Sequence, residues 1–208
     1  MVDKINVDKR ALDSLCLISG VFTLCAPDHR EIKFLRLDVP ADGNCGAHCL
    51  GILRISILGA PDDARGIRRA IGARARRHGM MHGLNLAEYC NGLVGSRFLE
   101  TFELSLYCDM LKLNSAVVAD TNDGSQTITL TGFQRAHKGW AIFKIDGLQD
   151  GVPHFQLLCH PRASPVRPVF SNQRARAILR KVGIEYPTTS FDPAFSLRYA
   201  GAISDFIG

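Results

Sequence analysis

The chain has 208 residues, 46% hydrophobic and 22% charged, a balance that fits one soluble globular domain with a sizeable core and excludes a disordered or fibrous chain. Its formal charge of +5 is too small to single out a nucleic-acid partner. Seven cysteines at irregular spacing, without a CxxC pair, argue against a disulfide scaffold and for free thiols in a reducing compartment, which points to the cytoplasm.

The first apolar run, Leu15 to Ala26, follows Lys9 and Arg10, but Asp3, Asp8 and Asp13 interrupt the flank that a signal peptide needs. It reads as a buried hairpin or helix of the core. No stretch approaches the roughly 20 apolar residues that span a bilayer, so no membrane partner is expected. Ile32 to Leu37 alternates as a strand and runs into the turn residues Pro40 to Gly43. Cys45 to Leu58 is apolar on nearly all sides, as a buried helix is, with Asn44 as its expected N-cap.

Pro61 opens the next predicted helix, which is amphipathic, rich in arginine and stopped by Gly79. Its cluster Arg65, Arg68, Arg69, Arg74, Arg76 and Arg77 reads as a solvated face, because no aromatic platform for stacking bases accompanies it. Further helices are expected from Leu84 to about Leu93 and from Phe98 to Leu113. After Asn114 the character changes to β-prone runs at 116–119, 126–131, 140–145 and 154–158, separated by turn signals. Helices first and strands afterwards predict an α+β domain, its helical N-terminal half packed on a mainly antiparallel sheet from the second half. Pro161, Pro165 and Pro168 mark a connector, followed by a short basic helix from near Ser171 to Gly183 and an irregular tail. This divides the chain into a domain over 1–160 and a C-terminal extension over 161–208.

The chemistry concentrates at Asp42-Gly43-Asn44-Cys45. A thiol at a helix N-terminus sits in positive potential that favours thiolate, the attacking form. The N–H groups of that turn, Asp42 to Asn44, and of Cys45 itself are candidates for an oxyanion hole. The base has to come from elsewhere in the chain. His154 follows the Gly151-Val152-Pro153 turn and begins an apolar strand, which would stand its ring at a sheet edge facing a cleft. His48, one turn beyond Cys45 on the same helix, is poorly placed to move between thiol and leaving group.

The Asp-Gly-Asn-Cys turn is similar to the nucleophile motif of ovarian tumour (OTU) cysteine proteases. The order of elements through His154-Phe155 resembles that of nairovirus OTU domains, as does the middle block of Leu84 to Tyr89, Gly95 to Met110 and Val117-Val118. The pattern Cys-Gly-x-His-Cys after Pro-x-Asp-Gly also resembles the OTU-type papain-like proteases of arteriviruses. The resemblance covers residues 30 to 160. It implies a papain-like fold, with Cys45 as nucleophile and His154 as base. The third role stays open: the family commonly orients the imidazole with Asp or Asn two places after the histidine, where this chain has Gln156. In the arterivirus pattern the orienting side chain lies seven residues before the nucleophile, which is Asp38 here, and a carboxylate is the better partner for an imidazolium.

The resemblance further implies cleavage after glycine, in conjugates of ubiquitin or a ubiquitin-like modifier or in the chain's own viral polyprotein, by a monomer in host cytoplasm, without cofactor or metal. Glu88, Glu100, Glu103 and Asp109 would suit ubiquitin's basic tail if they line the cleft, or simply form a solvated helix face. Two rival readings remain: a catalytically inactive module that binds RNA or a partner protein through the arginine-rich helix, and transfer of the acyl group to an amine instead of water.

Overall fold

The structure, a computed structural model, describes residues 17–26, 30–78, 86–95, 97–121, 124–146, 154–161 and 166–191. The first apolar run is β1 (Leu17–Cys25), a strand rather than a helix, and it pairs antiparallel with β2 (Glu31–Asp38). Four helices follow: α1 (Cys45–Leu58), α2 (Ala64–His78), α3 (Leu86–Val94) and α4 (Thr101–Met110). Next come β3 (Leu113–Asp120), β4 (Gln126–Gly132), β5 (Gly139–Asp146), β6 (His154–Cys159), β7 (Val169–Ser171) and α5 (Asn172–Lys181).

The strands form one sheet in the order β1-β2-β6-β5-β3-β4, with β7 paired to β5. Every pair is antiparallel except β3 with β5. The α+β class holds, and the sheet also takes in β1 and β2 from the N-terminal segment. Because side chains alternate along a strand, Phe143, Ile145, Phe155 and Leu157 join the core cluster that contains residues of α1 to α4, whereas Ile142 and Leu158 join Phe22, Phe34 and Phe170 in a second cluster. Ala175, Ile178 and Leu179 of α5 belong to that second cluster. Both faces are covered, so β5 is a nearly continuous apolar run, as expected for a strand buried on both sides.

Three boundaries differ from expectation. The predicted helix from Phe98 to Leu113 is confined to α4, because Glu100 and Glu103 form a reciprocal capping box at its start and Lys112 turns the chain with φ 59° at its end. Leu113 therefore opens β3. Helix α2 starts at Ala64, where the Asp63 carboxylate accepts the Gly66 N–H at 2.6 Å, and its predicted stop at Gly79 lies outside the described residues. The proline-rich connector contains β7, too short to show an alternating pattern. Ser171 then caps α5, accepting the Arg174 N–H at 3.2 Å.

Candidate active site

Helix α1 is buried through its first turn, and Cys45 is 4% exposed. Gly46 permits this seating, since a side chain there would come within 3.1 Å of the Leu99 Cβ and 3.6 Å of the Phe155 ring. Gly43 has φ 79°, a conformation that suits glycine, and the Phe98 ring lies 3.7 Å from where its Cβ would be. The turn is closed internally: the Asp42 carboxylate accepts the Asn44 N–H at 2.9 Å and also pairs with His48 Nε2 at 3.0 Å. Those bonds, the one from His48 foremost, hold Asp42 below the usual carboxylate range against the opposing effect of burial. Of the expected oxyanion donors, the Asn44 N–H is thus already engaged.

Asn44 departs from its expected role. Its side chain makes no capping bond to α1 and instead accepts a hydrogen bond from Arg68 Nε at 3.1 Å.

The thiol is tied to β6 by the Phe155 N–H, which donates to Cys45 Sγ at 3.4 Å, while the Cys49 thiol one turn on donates to the Phe155 carbonyl at 3.6 Å. His154, immediately before Phe155, opens β6. This strand lies between β2 and β5, so the ring stands at the end of an interior strand and not on a sheet edge. The antiparallel register of β2 with β6 pairs Leu37 with Leu157. One step further along that register Asp38 faces Gln156, with His154 diagonal to it on the same face. The side chains meet accordingly: His154 Nε2 lies 2.9 Å from Asp38 Oδ1, and Gln156 Nε2 donates to the same oxygen at 3.1 Å. Burial raises the Asp38 carboxyl, but the hydrogen bonds from His154 and Gln156 and the nearby charges outweigh it, so Asp38 lies below its ordinary value. An ionised Asp38 makes Nε2–H the donor, leaving Nδ1 as the nitrogen for proton exchange. Asp146, directly across from His154 in the β5 register, is bonded to Lys144, which also holds Asp120 at 2.5 Å.

Two of the acidic residues considered for a basic substrate tail point elsewhere. Glu103 is buried and accepts from Tyr89 Oη at 2.6 Å, and Asp109 accepts from Arg74 at 2.7 Å. Glu88 and Glu100 are exposed. Arg68, grouped by its sequence with a solvated face, is 2% exposed and faces inward. Among the described residues no helix is long and apolar enough to cross a membrane, and no three His, Cys, Asp or Glu side chains gather as a metal site would need.

The chain matches no protein-family model and no curated protein sequence. Solved structures similar to it are OTU domains. That of human OTUD1 is 14% identical with a TM-score of 0.45, over 59% of this chain and 83% of that one. The viral OTU domain protease of Taggert virus is 15% identical with a TM-score of 0.47, over 69% and 87%. The Hazara virus OTU bound to ubiquitin is 15% identical with a TM-score of 0.43, over 71% and 96%.

Proposed function

We propose that this chain is a cysteine protease of the OTU type that cleaves after glycine, with ubiquitin or ubiquitin-like conjugates as its substrate class. The observation that carries the reading is that His154 bonds Asp38 while the next residue, Phe155, bonds Cys45 Sγ, where β2, β6 and α1 meet. In the proposed cycle His154 Nδ1 takes the Cys45 proton and the thiolate attacks the scissile carbonyl. The oxyanion is held by N–H groups of the turn. The imidazolium then protonates the leaving amine, and water attacks the thioester with His154 as base, releasing the acid. Asp38 keeps the proton on Nε2 and stabilises the imidazolium; Gln156 donates to Asp38 and so supports the orienting group. On this reading Asp38 is the third residue and Gln156 its support.

The surroundings of the thiol support a preference for glycine. Cys45 is almost enclosed and the Phe98 ring stands beside Gly43, crowding that fits a carbonyl on glycine better than one on a residue with a side chain. The resemblance of the Asp-Gly-Asn-Cys turn supports a ubiquitin-type tail, and a polyprotein of the chain's own virus with glycine at the junction would meet the same requirement. The test is incubation with ubiquitin carrying a C-terminal electrophile. A single covalent adduct on Cys45, absent in Cys45→Ala, is the expected result; absence of any adduct with this probe and with ubiquitin-like analogues would exclude the substrate class.

A further inference from the structure

Arg68 is the one arginine of α2 that lies almost wholly inside the protein, and its guanidinium donates to four acceptors on two segments. Nη2 donates to the Gly43 carbonyl at 3.2 Å and Nε to Asn44 Oδ1 at 3.1 Å, both in the nucleophile turn. Nη1 donates to the Leu93 carbonyl at 3.1 Å and the Arg97 carbonyl at 2.5 Å, at the end of α3 and the start of the segment that carries Phe98. A buried guanidinium is costly unless its donors are satisfied, and here the donors join the nucleophile turn to the end of α3 and to the backbone just before Phe98. Burial lowers the guanidinium from its ordinary value, and the negative potentials of Cys45, Glu103 and Asp42 oppose that.

We infer that Arg68 is the positioning residue of the active site, clamping the Gly43-Asn44 turn to the Leu93 and Arg97 carbonyls so that the turn amides and the Cys45 thiol keep their reactive geometry. The inference rests on the protease reading for its effect on hydrolysis, but its effect on the thiol is independent of substrate. A planar fork is needed because four acceptors in different directions exceed what an ammonium group with three donors satisfies. Lysine at this site keeps the charge and loses the clamp; glutamine loses both.

Two readouts on the full chain separate these parts. Iodoacetamide labelling followed by mass spectrometry gives the rate at Cys45, with the exposed Cys25 as internal reference. Relative to Cys25, Cys45 in Arg68→Gln is expected to react about tenfold more slowly, because the variant removes a buried cation that interacts favourably with negative charge on the sulfur. In Arg68→Lys the rate is expected to stay within about threefold of wild type, since the charge is kept. Hydrolysis of a ubiquitin C-terminal amide should nevertheless fall about 10- to 100-fold in kcat for Arg68→Lys, with KM unchanged, as expected for displaced catalytic groups. Wild-type hydrolysis by Arg68→Lys, wild-type labelling in a folded Arg68→Gln, or loss of kcat that only tracks a fall in melting temperature would each overturn the inference. If wild type itself fails to hydrolyse ubiquitin, the substrate reading fails, while the labelling comparison still decides the role of Arg68.

Discussion

Two of the histidine–aspartate pairs among the described residues, one at the start of β6 and one just before β5, do different things. At one end of β6, His154 and Asp38 are 2.9 Å apart, partly open to solvent, with the thiol bonded to the next residue. In the other pair His137 and Asp109 are 3.5 Å apart and largely buried, and Asp109 is shared with Arg74. His137 Nδ1 is buried without a hydrogen-bond partner among the described residues, and burial lowers the ring from its ordinary value in spite of Asp109. A cysteine, Cys108, adjoins Asp109 here too, yet it is fully buried and its thiol is pushed well up by desolvation. Composition is thus nearly the same in both places. What separates them is the exposure of the His–Asp pair, greater at the first than at the second, and the helix N-terminus under Cys45.

The largest effects should come from the first pair. Cys45→Ala or His154→Ala is expected to lower kcat by more than about 10³-fold with little change in melting temperature, in steady-state hydrolysis of a ubiquitin amide. Asp38→Asn should cost about 10²-fold or more in kcat, because a neutral partner no longer holds the tautomer, whereas Gln156→Ala should cost less than about tenfold, since it acts on Asp38 alone. The reverse order would make Gln156 the orienting group.

The second pair should answer in stability and not in rate. Asp109→Asn is expected to destabilise by about 1–3 kcal/mol in denaturant unfolding, as loss of a partly buried charged partner does, with kcat retained. Its histidine also gives a pH signature. The native state keeps His137 neutral where the unfolded chain binds a proton, so its contribution is present above about pH 6.5 and is lost as the pH falls through the lower folded value. His137→Gln should flatten the slope of melting temperature between about pH 5 and 7. The Asp38 contribution, also from a lowered group, persists above about pH 4 and fades only below it. The smallest effect is expected from reversing the exposed arginines Arg65, Arg69 and Arg76 to Glu, which should leave hydrolysis unchanged and stability within about 0.5 kcal/mol.

Much of this was legible in the sequence where one local signal decides. Cys45–Leu58 is apolar all round and ends where Gly59 takes φ 65°, so its C-terminal end follows from the chain itself. The alternation of β2 and the start of β6 placed Asp38 and His154 at strand ends. The register that joins them was not legible, because it depends on pairing between segments 116 residues apart. Arg68 was missed for a different reason. It occupies a position of the stripe Ile67, Ile71 and Ala75, the buried face of α2, but charge outweighed position in a helix crowded with arginine. A cation inside an apolar stripe at helical spacing is the signal that would have found it. Asn44 misled in the same way: its residue type suits an N-cap, and the guanidinium competes for its oxygen.

The most direct test is peptide-level mass spectrometry of the adduct formed with electrophilic ubiquitin, comparing wild type, Asp38→Asn and Asp109→Asn. The account predicts modification at Cys45 only, slowed strongly by Asp38→Asn and untouched by Asp109→Asn. Modification at another cysteine, or equal rates in the three proteins, would contradict it.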